Sequence, residues 1–154
     1  MKYEPALLVA NSILYQAYKN GQAITHMKLQ KLIYFVYKKY LEDTGHTLFD
    51  ESILAWKHGP VVQSVYNVFK SFGASEIVNQ YAMLEGDKNP QGVSSGRNDF
   101  HSALNHVLWK YGNYSGWHLR ELTHNPGGAW KKAYEKDMSN EINVNDIWDE
   151  EWHD

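Results

Sequence analysis

One stretch limits what this chain can fold into more than any other. Between Thr25 and Gly45, apolar residues stand at Leu29, Leu32, Ile33, Val36, Tyr37 and Tyr40, spaced i, i+3, i+4, i+7, i+8, i+11. That is the 3.6-residue period of a helix with one apolar face, and it predicts a helix capped by Thr25 and ended by Gly45. Lys28, Lys31, Lys38 and Lys39 fall largely off that stripe. A helix of this kind must bury its stripe against others, and the flanking sequence supplies them. Leu7, Ala10, Leu14, Ala17 and Tyr18 set a helix from Pro5 to about Lys19, with Gly21 as its stop. Pro60 is placed as the first residue of a helix running through Val61, Val62, Val65, Tyr66 and Phe69.

Farther on, Asn98 or Asp99 caps a helix carrying Phe100, Leu104, Val107, Leu108 and Tyr111. Ser115 opens a short helix through Trp117, Leu119 and Leu122, and Trp130 to Lys136 forms another. Residues 47–57 lack a helical period and read as short extended pieces, while Glu85–Arg97 is a polar, Gly- and Ser-rich loop. The expectation is a mainly α, single compact domain over residues 1–154, with about six helices and an acidic, aromatic tail at about 141–154. A chain of 154 residues is long enough to bury a core without staples.

Composition removes several chemistries. There is no cysteine, which excludes disulfides, thiol catalysis and cysteine-based metal centres. The formal charge is −3, and only Arg97 and Arg120 are arginines, which argues against a protein built to hold nucleic-acid phosphates. Residues 1–77 carry net +2 and residues 78–154 carry net −5, so the second half is the acidic one. No apolar run approaches the roughly 20 residues of a membrane span, and Met1–Pro5 lacks a signal-peptide pattern. The expectation is a soluble cytoplasmic protein that needs no membrane.

No enzyme motif is present: no Gly-x-Ser-x-Gly elbow, no His-Glu-x-x-His helix, no Walker A loop. His101 and His106 lie five apart, on different helix faces, so the reading is no catalytic residue, no metal and no cofactor. A loose helix-turn-helix echo, Ala17-x-x-x-Gly21 before Lys28, Gln30 and Lys31, reads as a helix hairpin or, less simply, as a DNA-contacting helix.

Four further places hold candidate residues. Lys57-His58-Gly59-Pro60 is either a structural turn before a helix or an anion site at that helix start. Thr123-His124 ends a helix, with His124 as a structural or capping residue. Trp56 and Trp130 suit a core position. Trp148 and Trp152, flanked by Asp149, Glu150 and Glu151, belong either to a docked last helix or to a tail that offers aromatic anchors to a basic partner.

The ordered string Met27-Lys-Leu-Gln-Lys-Leu-Ile-Tyr-Phe35, Leu48-Phe49-Asp50, Ala55-Trp-Lys-His-Gly-Pro-Val-Val62 with Tyr66, Leu122-Thr-His124 and Trp130 closely resembles the Panacea domain of SocA-like antitoxins. The resemblance spans roughly residues 5–148. His58 stands where the family often has Tyr, and the Gly127-Gly128 pair is also a departure. The resemblance implies a largely helical, non-catalytic antitoxin of a bacterial or prophage toxin–antitoxin pair. Its partner would be a cognate protein toxin, neutralised by direct binding. One branch of the family instead hands its toxin to an ATP-dependent protease as an adaptor. Two other readings are a phage accessory protein that binds a host defence protein, and a DNA-binding regulator. Specificity is expected from the Glu85–Arg97 loop and the tail, with residues 146–154 removable without unfolding the domain.

Overall fold

The long periodic helix becomes the centre of the molecule. In the computed structural model, which describes residues 4–136 and 140–153, α2 (His26–Thr44) packs against α1 (Ala6–Lys19), α3 (Gln63–Phe69), α4 (Asn98–Tyr111), α5 (Gly116–Thr123) and α7 (Val144–Asp149). The signal-peptide reading of Met1–Pro5 rests largely on residues 1–3, which lie outside the described residues, as does Asp154. Thr25 caps α2 as expected, its hydroxyl accepting the Lys28 N–H at 3.3 Å. Gly45 ends it in the left-handed conformation, φ +75°, and donates its N–H to the Leu41 carbonyl.

Lying off the apolar stripe does not put a lysine in water here. Lys28, Lys31 and Lys38 are all buried, because neighbours cover α2 on nearly every side. Each ammonium must then find acceptors inside the protein. Lys28 Nζ donates to the Ala23 and Gly112 carbonyls at 2.8 and 2.5 Å. Lys38 Nζ donates to the Ile147 carbonyl at 2.8 Å and to that of Glu150, and pairs with Glu42 at 3.0 Å. Lys39 alone of the four stays half-buried, paired with Asp43.

The Gly-Pro dipeptide starts no helix. Gly59–Val61 form strand β2, paired antiparallel with β1 (Leu54–Trp56): Leu54 opposite Val61, Ala55 opposite Pro60, Trp56 opposite Gly59. Only Lys57 and His58 lie between the strands. Two β-branched valines after a proline favour extended backbone, and the Gln30 side chain holds it so. Gln30 accepts the Val62 N–H at 2.9 Å and donates to the Val62 carbonyl at 3.3 Å. Helix α3 therefore begins at Gln63, three residues later than the sequence pattern suggests, and a 3₁₀ turn (Lys70–Phe72) follows it. Of the extended pieces expected over 47–57, only 54–56 is a strand.

Neither Asn98 nor Asp99 is the N-cap of α4; Arg97 precedes it, and Asp99 in the first turn accepts the Phe100 N–H at 2.7 Å. Ser115 caps α5 and α6 spans Ala129–Lys136. The described residues thus hold seven α-helices and one small hairpin, a mainly α single domain with one more helix than expected. No helix among them is long and apolar enough to cross a membrane.

The extra helix is α7, and the acidic tail is part of the core. The Ile142 N–H bonds the Ile53 carbonyl at 2.8 Å, and Ile147 is buried. Tyr34 donates to Glu150 Oε1 at 2.5 Å, and Trp152 Nε1 donates to Glu42 at 2.8 Å. Trp152 lies beyond α7, against Phe35 and Tyr111, so Trp148 and Trp152 do not share a helix face. Removing residues 146–154 would strip Lys38 of both carbonyls, contrary to the expectation of a dispensable tail. The polar loop is tied down as well. Asn11 Nδ2 donates to the Ala82 and Gln91 carbonyls, and Ser12 Oγ accepts the Val93 N–H, each at 2.8 Å.

Candidate functional site

Lys31 is the third buried lysine of α2 and the least satisfied. Among the described residues its ammonium has one hydrogen-bond acceptor, the Pro60 carbonyl at 3.3 Å. It sits directly behind the hairpin turn. Gly59 has φ +113°, and a Cβ there would lie 2.6 Å from Lys31 Cε and 3.1 Å from Thr123 Oγ1. The backbone angle favours glycine at 59, and any side chain there would also have to displace the end of Lys31. Thr123 is buried and donates its hydroxyl back to the Arg120 carbonyl at 2.7 Å. Thr123 thus stands where the end of α5 meets the turn.

Around this point the structure gathers basic side chains. Arg120, His58 and His124 all act electrostatically on one another or on Lys31. Burial, and then Arg120, lowers Lys31 to about 7. Burial comes first for His124 too, followed by Arg120, Lys31 and His58, and lowers it to about 4. At the exposed turn His58 is lowered by partial desolvation and then by Arg120, Lys57 and Lys31. Among the described ion pairs none involves Lys31, Arg120 or His124. Among the described residues two buried side-chain nitrogens lack a hydrogen-bond partner, Arg120 Nε and His124 Nε2.

Aromatic rings frame the cluster. His124 stacks flat on Trp130, ring centres 3.6 Å apart and planes within 4°, and Trp130 stacks on Tyr134. Trp130 Nε1 donates to the Trp56 carbonyl at 2.7 Å, which fixes α6 to β1. Trp56 packs edge-on to Tyr66, and Tyr66 lies against His26. Trp117, 58% exposed, carries the Arg120 guanidinium 5.1 Å from its ring centre and meets His58 edge-on at 6.0 Å. A groove of about 670 Å³ is lined by Gln22, Met27, Tyr114, Gly116 and Trp117 among others.

Of the residues singled out in the sequence, Lys31, Trp56, His58, Gly59, Pro60, Thr123, His124 and Trp130 come together here, with Lys57 exposed at the turn. Gln30 and Tyr66 hold the hairpin from behind. Lys28 lies elsewhere, tying α2 to Gly112. Trp148, 48% exposed, and Trp152 lie with the C-terminal segment, near Lys38, about two turns along α2. The anion reading of Lys57–Pro60 needs a new basis, because no helix starts there to offer N–H groups. Sequence reasoning passed over Arg120, Trp117 and Tyr134. The signal for Arg120 was its rarity, one of two arginines, next to the Thr123-His124 motif.

The arrangement has the chemistry of a binding surface: Trp, Tyr and Arg side chains around a desolvated charge. No group of three His, Asp or Glu side chains among the described residues could hold a metal ion. The profile of the family described as "Antitoxin SocA-like, Panacea domain" matches residues 29–131, which take in Lys31, the hairpin, Arg120, His124 and Trp130. The chain belongs to the SocA-like antitoxin family, Panacea domain. A relative within it is antitoxin SocA of Caulobacter vibrioides (strain NA1000 / CB15N), 35% identical over 129 residues, which are 81% of this chain and 68% of that protein. No solved structure matches the chain significantly. In this Panacea domain the family match ends at Lys131, so α7 and its contacts lie beyond the matched segment.

Proposed function

We propose that this chain is the antitoxin of a two-gene toxin–antitoxin pair and neutralises its cognate protein toxin in the cytoplasm by direct binding. Membership of the SocA-like antitoxin family carries the antitoxin reading. Direct binding is supported by the face built on the hairpin turn, α5 and α6. There Trp117, 58% exposed, lies beside Arg120 and His58, and Tyr134, 42% exposed, stacks on Trp130. Large aromatics with a polar edge, next to arginine, supply most of the binding energy in protein interfaces. The interior of this face is held by Trp130, Trp56 and Thr123, so it is presented on a rigid base and little ordering is lost on binding.

The test is a growth assay. The gene adjacent to this one is expressed alone, then together with this chain, in cells with and without their ATP-dependent proteases. Toxicity relieved in both backgrounds supports neutralisation by binding. Relief only where the proteases are intact makes the chain an adaptor that delivers the toxin for degradation. An adjacent gene that is not toxic removes the antitoxin reading and leaves binding to a host defence protein as the alternative.

A further inference from the structure

The three buried lysines of α2 are not equivalent. Lys28 has two carbonyl acceptors, Lys38 two carbonyls and a carboxylate, and Lys31 a single carbonyl at 3.3 Å. An ammonium carries three donors, so Lys31 has two to spare in a site where it is 1% exposed. Arg120 Nε and His124 Nε2, in the same cluster, are buried and unpartnered as well. A folded protein rarely leaves several donors and a positive charge together without an acceptor. We propose that this cluster is a carboxylate-binding site, and that the toxin fills it with an aspartate or glutamate side chain or with its C-terminal carboxylate. The identity of the donor rests on the antitoxin reading above; the site itself does not.

The surroundings favour a carboxylate on a protein chain. A carboxylate has the lone pairs to accept from an ammonium, a guanidinium and an imidazole together. His58 and Trp117, exposed side chains beside Arg120, have rotamers that change readily. The groove that Trp117 helps to line gives room for a neighbouring stretch of the chain carrying the acid. With a net charge of −3 and two arginines, the rest of the surface is a poor track for a phosphate backbone.

Two measurements decide it. In the first, the Arg120 Nε–H resonance of the full chain is followed by NMR at constant ionic strength. N-acetylglutamate, N-acetylglutamine and inorganic phosphate are added in turn. The expected result is a saturable downfield shift with the acid, none with the amide, and loss of the shift in Lys31→Met. No shift with any probe overturns the site, and tighter binding of phosphate than of the acid overturns the assignment to a carboxylate. In the second, toxin affinity is measured for Lys31→Met and Arg120→Gln, each checked for folding. Losing a desolvated partner of a charge pair predicts a fall of at least about thirtyfold. Asp→Asn and Glu→Gln changes across the toxin, and a C-terminal extension of it, identify which carboxylate is used. One of them should be silent against Lys31→Met. Unchanged affinity in both folded variants overturns the proposal for the toxin. A wild-type chain that binds no toxin overturns the antitoxin reading, while the NMR result still judges the site.

Discussion

Replacing Lys31 by Met should make the protein more stable, and the gain should shrink as the pH rises. The ammonium is lowered to about 7 from an ordinary 10.5, by burial first and by Arg120 second. The unfolded chain keeps its proton up to about 10.5, so between these values it binds more protons than the folded one, and wild-type stability rises with pH. The whole interval of about 3.5 units corresponds to roughly 5 kcal/mol of penalty below pH 7, an upper bound for one buried charge. Methionine has nearly the same length and removes the charge, at a loss of about 1 kcal/mol for the bond to the Pro60 carbonyl. We therefore expect Lys31→Met to stabilise the fold by about 2–4 kcal/mol at pH 6.5, with each kcal/mol raising Tm by about 2–4 °C for a chain this size. Urea unfolding of both proteins at pH 6.5 and pH 9 reads this directly. The difference should narrow by about 2–3 kcal/mol at the higher pH. A variant that is less stable at pH 6.5, or a difference that ignores pH, would refute the reasoning. A stabilised variant that no longer neutralises its toxin would mark Lys31 as a charge held at a cost in stability for binding.

Gly59→Ala should destabilise by at least about 2 kcal/mol, because it combines an unfavourable backbone angle with an approach to Lys31 that cannot be relieved without moving the lysine. Lys31→Ala in the same chain should recover part of that loss, as thermal unfolding of the single and double variants would show. Truncation after Asn145 should cost several kcal/mol by leaving Lys38 buried with Glu42 alone and uncovering the core at Ile147. A truncated chain with the wild-type urea midpoint would contradict the docked tail. Burial, helped by nearby positive charge, lowers both His26 and His124 to about 4. Their folded forms resist protonation, so stability present above pH 6.5 should fall progressively toward pH 4, and His26→Gln with His124→Gln should flatten that part of the curve in acid titrations followed by circular dichroism.

Much of the fold is legible from residue order because its signals are local. The spacing from Leu29 to Tyr40, the hydroxyl of Thr25 and the left-handed Gly45 fix α2 without help from the rest of the chain. Ser115 and the run from Phe100 to Tyr111 do the same for α5 and α4. The misplaced start of α3 has a different origin. Gly59-Pro60 suits either the first turn of a helix or a hairpin, and the choice falls to Gln30, some thirty residues earlier in the chain. The tail's acidic composition suggested solvent, while Ile142 and Ile147, set among its acids, are buried and Trp152 packs partly buried against other elements.

The candidate site divides along the same line. The Leu-Gln-Lys-Leu and Trp-Lys-His-Gly-Pro segments mark the family from order alone, and they already contain Lys31 and Gly59. That Lys31 is buried and that Arg120 and His124 share its surroundings depend on α5 folding back over the hairpin. Residue order alone gave α2 with both its caps, the start of α5 and the family, since each of these follows from residues close together in the chain. Only the tertiary structure decided which lysines are satisfied and which one is left with donors to spare, because burial and pairing of a charge are set by atoms that meet from distant parts of the chain.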